Sequence, residues 1–208
     1  MHKTTLVVIA SAAILVCCAS SCSRQPKGPD KPKVDASTAA AAAIAEYDAD
    51  HDGLLSQEEL REKCPGLLDA LKRADTNGDG KLSAEEIAAR IDRWFSAGTV
   101  LLPGLVQVTL DGKPLDGATV TLEPEKFLAD ALKTASGVTS AVGQTTLSGA
   151  DEKFPGIYPG VYRVRISRIV DGKETVPKKF NTDSRLGKEM ASDIREPGRL
   201  VEFQLKSR

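Results

Sequence analysis

Two hydrophobic patterns divide the chain. Between residues 36 and 95, apolar residues recur every three or four positions, as in Ile87, Ile91, Trp94 and Phe95, which is typical of amphipathic helices. After Gly98, apolar and polar residues alternate, which is the period of half-buried strands. The patterns predict an α+β protein in which a short helical part at 36–96, made of two helix–loop–helix units, precedes an all-β sandwich at 100–208.

Four short helices are predicted in the first part. Ser37 is the expected cap of the first helix, and Pro65-Gly66 is expected to separate the second helix from the third. Trp94 and Phe95, at the end of the fourth helix, are expected to pack against the sandwich. The predicted helices are 36–47, 56–63, 67–74 and 83–95.

Four strands are predicted in the second part, with turns at Asp111-Gly112, Asp116-Gly117 and Asp171-Gly172. Two segments interrupt the alternation. Residues 127–132 are compatible with a short inserted helix, and residues 176–198 with a long charged loop. The inward-facing residues are expected to be Val106, Val108 and Leu110; Ala118, Val120 and Leu122; Tyr162, Val164 and Ile166; and Val201, Phe203 and Leu205.

The long loop carries cationic side chains at Lys178, Lys179, Arg195 and Arg199. Solvated surface charges are the expected reading, and contact with an anionic partner is the alternative.

Two acidic segments have a regular spacing of oxygen-bearing side chains. They are Asp48–Glu59, called loop 1, and Asp75–Glu86, called loop 2. Each has oxygens at positions 1, 3, 5, 9 and 12 and glycine at position 6, so both resemble the EF-hand calcium loop. The resemblance implies two Ca²⁺ sites.

Calcium takes six to eight oxygen ligands, and the glycines Gly53 and Gly80 permit the sharp turn that brings those oxygens together. Side chains at positions 1, 3, 5 and 12 bind directly, position 7 offers its backbone carbonyl, and position 9 acts through water. The implied ligands are Asp48, Asp50, Asp52, Leu54, Ser56 and Glu59 in loop 1, and Asp75, Asn77, Asp79, Lys81, Ser83 and Glu86 in loop 2.

Two other loop positions carry information. Leu55 and Leu82 occupy position 8, where paired EF-hands join their loops through a short strand, so a coupled pair is expected. His51, at position 4, is expected to point away from the metal. Calcium sensors expose a methionine-rich groove, but the only methionines are Met1 and Met190. A structural calcium role is therefore expected.

The N-terminus has the layout of an export signal. His2-Lys3 precedes an uncharged run from Leu6 to Cys18, and Ala19-Ser20-Ser21-Cys22 resembles a bacterial lipobox. The prediction is a signal peptide at 1–21, a lipidated Cys22 with a flexible tether at 22–35, and an exported protein anchored on the periplasmic or cell-surface side of a membrane. Cys17 and Cys18 are competing acceptors, and an ordinary secreted protein cut near Ser21 is the alternative.

The β part resembles transthyretin-like, carboxypeptidase-regulatory-type domains in the runs 106–124 and 159–164. That resemblance implies a non-catalytic accessory module, so a protein partner, with the chain as an accessory or regulatory subunit, is the alternative function. Transthyretin-like hydrolases use histidines, whereas the only histidines here are His2 and His51. No nucleophile–base pair is evident either, and the chain is therefore predicted not to be an enzyme.

Charge agrees with a cation-binding role. Residues 46–94 hold 13 acidic and 7 basic side chains, a net of −6, while the whole chain has a net charge of −1. A nucleic-acid partner is not expected without a basic field. The chain has no C-x-x-C spacing, so Cys64 is expected to pack as an unpaired apolar residue.

Overall fold

The computed structural model describes residues 28–96, 98, 100–149, 154–194 and 200–208. The predicted signal peptide, the candidate lipid acceptors Cys17, Cys18 and Cys22, and the side chains of Arg195 and Arg199 lie outside the described residues. Within the described part, no helix is both long enough and apolar enough to cross a membrane.

Four helices form the N-terminal part, as predicted. They are α1 (Ala36–Tyr47), α2 (Gln57–Lys63), α3 (Pro65–Ala74) and α4 (Ala84–Ser96). The predicted cap at Ser37 is wrong, because Asp35 caps α1 by accepting a hydrogen bond from the Thr38 N–H at 2.7 Å. Ser37 is inside the helix and donates its hydroxyl to the same Asp35 carboxylate.

The break between α2 and α3 falls at Cys64 rather than at Pro65-Gly66. Pro65 is the first residue of α3, a position where the missing N–H costs no helical hydrogen bond. Cys64 is fully buried and is a free thiol, which confirms the expected apolar packing.

The C-terminal part is built from strands in three sheets. The strands β1 (Leu55–Ser56) and β2 (Lys81–Leu82) belong to the helical part. The strands of the C-terminal part are β3 (Leu105–Leu110), β4 (Lys113–Pro114), β5 (Thr119–Pro124), β6 (Ala135–Val138), β7 (Gln144–Thr146), β8 (Gly160–Ser167), β9 (Ile169–Val170), β10 (Lys173–Glu174), β11 (Leu186–Met190) and β12 (Val201–Leu205). One four-stranded sheet has the order β11-β8-β5-β6, and the other joins β12, β3, β4 and β7. The hairpin β9–β10 forms a small third sheet.

Apolar side chains from both large sheets share one core. Val106 and Val108 of β3, Val120 of β5 and Val164 of β8 are all at most 1% exposed. The predicted inward-facing residues are thus confirmed, except that Leu110 is only partly buried. The α+β prediction is confirmed by the four helices followed by these sheets.

Two segments of the β part differ from their predicted form. The segment 176–198 is not a plain loop, because it contains the strand β11, which pairs antiparallel with β8. The short helix predicted at 127–132 is present as a 3₁₀ helix with other bounds, Lys126–Leu128.

The helical part lies directly on the sheet β11-β8-β5-β6, called the first sheet, because α3 packs on β8 and β11. Two glycines permit this approach. A Cβ atom at Gly66 would lie 2.8 Å from the Tyr162 backbone nitrogen, and a Cβ atom at Gly187 would overlap the carbonyl group of Pro65. Backbone therefore packs against backbone at this junction, and the core runs through both parts.

Candidate metal centre

Each acidic loop joins the end of one helix to the start of the next. Loop 1 connects α1 to α2, and loop 2 connects α3 to α4. Asp48 is the C-terminal cap of α1 and Asp75 that of α3, so the first predicted ligand of each loop has a fixed backbone. Glu59 and Glu86 lie in the first turns of α2 and α4. Rigid helix ends thus position both ends of each loop.

Backbone N–H groups orient the aspartates of loop 1. The bonds are His51 N–H to Asp48 Oδ1 (2.7 Å), Gly53 N–H to Asp48 Oδ2 (2.9 Å), Asp52 N–H to Asp50 Oδ1 (3.2 Å) and Leu54 N–H to Asp52 Oδ1 (2.8 Å). One carboxylate oxygen from each of Asp48, Asp50 and Asp52 lies within 4.8 Å of the others. Three hard oxygen donors at this spacing fit a calcium ion.

Loop 2 repeats the same bonding pattern. The bonds are Gly78 N–H to Asp75 Oδ1 (2.6 Å), Gly80 N–H to Asp75 Oδ2 (2.9 Å), Asp79 N–H to Asn77 Oδ1 (2.8 Å) and Lys81 N–H to Asp79 Oδ1 (2.8 Å). Position 1 accepts from positions 4 and 6, position 3 from position 5, and position 5 from position 7 in both loops. Two segments of different sequence therefore hold their predicted ligands in one geometry.

The glutamates at position 12 close the loops. Glu59 accepts hydrogen bonds from the Ala49 N–H at 2.6 Å and the Ser56 N–H at 2.8 Å. Glu86 accepts equivalent bonds from the Thr76 N–H at 2.9 Å and the Ser83 N–H at 3.0 Å. Both predicted position-9 serines also donate their hydroxyls to these carboxylates.

These donors favour the charged form of both glutamates. Partial burial alone would raise the pKa of Glu59, but the N–H groups of Ala49 and Ser56 outweigh it and lower the pKa. The pKa of Glu86 is lowered in the same way by Ser83, Thr76 and Asn77 against the effect of burial. Both carboxylates are therefore suited to bind a cation at neutral pH.

Left-handed backbone at positions 4 and 6 lets the loops turn. Gly53 and Gly80 have φ values of 82° and 80°, a conformation that costs glycine little. At position 4, Gly78 has a φ of 79°, whereas His51 adopts a φ of 61° despite its side chain. His51 is exposed, as the sequence predicted.

The two loops are paired, as their apolar position-8 residues predict. The short strands β1 (Leu55–Ser56) and β2 (Lys81–Leu82) run antiparallel, with Leu55 opposite Leu82 and Ser56 opposite Lys81. Both leucine side chains are fully buried. This pairing makes the two loops one structural unit.

The loops differ in what contacts the outer oxygen at position 5. In loop 1, the Lys81 ammonium of the other loop lies 2.6 Å from Asp52 Oδ2. In loop 2, the Asn77 amide of the same loop donates to Asp79 Oδ2 at 3.0 Å. The sequence pattern assigned Lys81 only a backbone carbonyl, so it gave no signal for this contact.

The sequence also gave no signal for two buried glutamates at the junction. The first, Glu125, follows β5 and is 3% exposed. Its Oε1 accepts the Gly66 N–H at 3.0 Å, and its Oε2 lies 3.5 Å from the Tyr47 hydroxyl. Glu125 thereby satisfies an N–H group at the start of α3, where Cys64 provides no side-chain cap. Burial raises the pKa of Glu125.

The second is Glu189 of β11, which is 1% exposed. Its carboxylate accepts hydrogen bonds from Arg73 Nε at 2.6 Å, Arg90 Nε at 2.5 Å and Trp94 Nε1 at 2.7 Å. Arg90 also makes a bidentate pair with Asp193. These five residues are called the Glu189 network. The network ties both helices of loop 2 to the first sheet, and it confirms the predicted packing of Trp94 against the β part.

The geometry defines a pair of helix–loop–helix units whose loops converge oxygen atoms. The EF hand family model matches residues 41–64 and 68–89, and each match contains one complete loop. No curated protein and no solved structure matches the chain. The chain therefore has an EF-hand region at 41–89 followed by a β-rich region, and the motifs with the acidic cluster suggest calcium binding.

Proposed function

We propose that this protein binds two calcium ions, one in each loop, and that calcium stabilises the helical part and its attachment to the β part. The carrying observation is the shared bonding pattern of the two loops, which holds every predicted side-chain ligand at positions 1, 3, 5 and 12 by backbone N–H groups. Such preorganisation lowers the ordering cost of binding.

A structural role fits the packing better than a sensor role. A sensor EF-hand opens on calcium binding and exposes an apolar groove. Here Leu67 of α3 and Ile87, Ile91 and Trp94 of α4 are at most 1% exposed and belong to the core shared with the sheets. Opening loop 2 would pull α3 or α4 away from the first sheet and break the Glu189 network.

Calorimetric titration with calcium tests this proposal. Wild type is expected to show two sites with dissociation constants of about 10⁻⁵–10⁻³ M, the range from weak sensors to extracellular modules. Glu59→Gln is expected to weaken one site and Glu86→Gln the other. Glu58→Gln and Glu85→Gln are matched controls, because each changes a neighbouring glutamate outside the predicted ligand set.

Thermal unfolding provides an independent measurement. Calcium at about 100 times its dissociation constant should stabilise the fold by roughly 2.7 kcal/mol per site. Chelation should reverse the shift in wild type, and Glu59→Gln and Glu86→Gln should each lose part of it. Absence of binding heat together with an unchanged melting temperature would contradict the proposal.

We also propose that the protein is exported and lipid-anchored through Cys22, a proposal that rests on the signal-like sequence at 1–21. Metabolic labelling with a radioactive fatty acid tests it. Label is expected in wild type and in Cys17→Ala and Cys18→Ala, and is expected to be lost in Cys22→Ala. Retention of label in Cys22→Ala would contradict this assignment.

A further inference from the structure

A lysine of one loop contacts a predicted ligand of the other. Lys81 lies in β2 at position 7 of loop 2, and its Nζ is 2.6 Å from Asp52 Oδ2 at position 5 of loop 1. The lysine and aspartate side chains are 38% and 35% exposed. The pairing of Ser56 with Lys81 across β1 and β2 brings the lysine backbone beside loop 1.

The bridge has no counterpart in the opposite direction. Leu54 occupies position 7 of loop 1 and carries no charge, so loop 1 offers Asp79 no cation from that position. Asp79 Oδ2 instead accepts the neutral Asn77 amide.

The direction of the bridge matches the charges of the two loops. Loop 1 has four carboxylates in its predicted ligand set, and loop 2 has three because Asn77 replaces an aspartate. The carboxylates are Asp48, Asp50, Asp52 and Glu59 in loop 1, and Asp75, Asp79 and Glu86 in loop 2. Lys81, the only lysine or arginine in the two loops, therefore pairs with the loop whose carboxylates repel one another more strongly.

We propose that Lys81 is an internal counter-ion of loop 1, which calcium must displace and which therefore lowers the affinity of loop 1 for calcium. The inference rests on the proposed calcium function. An ammonium ion beside Asp52 repels an incoming divalent cation and occupies one of the oxygens available to it. Calcium binding in loop 1 thus moves the Lys81 side chain into solvent, while the Lys81 backbone stays in loop 2.

Variants with a single intact loop isolate the effect. Lys81→Leu reproduces the residue that loop 1 has at the same position and preserves the backbone carbonyl. In the Glu86→Gln background, where loop 1 is intact, this change is expected to tighten calcium binding about two- to fivefold at low ionic strength, the range of an exposed ion pair. In the Glu59→Gln background, loop 2 should change less. Lys81→Arg, which keeps the charge, should behave like wild type.

The reverse change supplies a second test. Leu54→Lys places an ammonium group at the position of loop 1 that is equivalent to Lys81, and is expected to weaken loop 2 by pairing with Asp79. Both effects should shrink in about 0.5–1 M salt because the charges are exposed and screened. Lys173→Leu, which removes an exposed lysine on β10, is the control for a general change in net charge.

Amine labelling follows the displacement without measuring affinity. Calcium should raise the rate at which an acylating reagent modifies Lys81 relative to Lys173, because the displaced ammonium loses its partner. If wild type binds calcium at both sites, an unchanged loop 1 affinity for Lys81→Leu in the Glu86→Gln background and an unchanged Lys81 labelling rate in wild type would overturn the counter-ion role alone. Absence of calcium binding in wild type and every variant would overturn the proposed function, and the displacement with it.

Discussion

Replacing Glu189 with glutamine should lower the free energy of unfolding of the whole fold, and not only disturb the strand β11 that carries it. Glutamine preserves the volume but removes the charge shared by Arg73, Arg90 and Trp94. Arg90 is only 3% exposed at its side chain, so water cannot replace the lost carboxylate. Its remaining partner is Asp193, which is 36% exposed.

The size of the effect follows from this burial. Breaking a buried ion pair by removing one partner costs about 3–5 kcal/mol when the other charge is left uncompensated. Asp193 still pairs with Arg90 in the variant, so a loss near the lower end, about 3 kcal/mol, is expected. At ~2–4 °C per kcal/mol for a chain of this size, the melting temperature should fall by about 6–12 °C. Arg73 is 33% exposed and adds less, because solvent can hydrate it.

Urea unfolding followed by circular dichroism measures this loss. Glu202→Gln is the matched control, because Glu202 is exposed on β12, and its stability should stay within about 0.5 kcal/mol of wild type. Changing Glu189 and Arg90 together to methionine should recover only part of the loss, since both members of the buried pair are then apolar but the buried Trp94 N–H loses its acceptor. Wild-type stability in Glu189→Gln would refute the reasoning that the network holds the junction together.

Three further predictions test other contacts. His51→Gly should not lower the free energy of unfolding, whereas Gly78→His should lower it by about 1–2 kcal/mol, because a side chain in left-handed backbone is strained. Urea unfolding of both variants measures the two changes. Equal effects of the two substitutions would contradict this prediction. Glu125→Gln should keep the bond from the Gly66 N–H and remove a buried charge. Burial raises the folded-state pKa of Glu125. Its protonated carboxyl therefore stabilises the folded state fully below the unfolded-state pKa, and this stabilisation is lost as pH rises through the folded-state pKa. The stability of the glutamine variant relative to wild type should therefore increase from pH 4 to 7 in urea titrations, and a constant difference would argue against it. Gly187→Ala should cost about 1–3 kcal/mol through overlap with Pro65, and Gly28→Ala, which meets nothing within 4 Å, should leave the melting temperature unchanged.

Local patterns were sufficient for much of the fold. The loops were predictable because the calcium pattern fixes residue types over twelve adjacent positions, and the hydrogen bonds that shape them are equally local. The helix α1 has the predicted bounds. The strands β3, β5, β8 and β12 were recognisable because one face of each is buried, which imposes alternation.

The strand β11 was not predictable because distant residues determine its burial. Its sequence from Leu186 to Met190 contains Lys188 and the fully buried Glu189, so alternation is absent. Glu189 is compatible with the core only because Arg73 and Arg90, about 100 positions earlier in the chain, pair with it. The contact between Lys81 and Asp52 depends in the same way on the pairing of two loops.

The Glu189 network couples the geometry of loop 2 to the packing of its two helices on the β part. Loop 2 joins α3 to α4, and the network joins the same two helices through Arg73 and Arg90. A calcium ion bound in loop 2 would therefore favour the same arrangement of the helices as the Glu189 carboxylate does. Such coupling is reciprocal. If calcium stabilises the junction by some factor, the intact junction must raise the affinity for calcium by the same factor. Loss of the Glu189 charge should accordingly weaken loop 2 more than loop 1, whose helices α1 and α2 contribute no residue to the network.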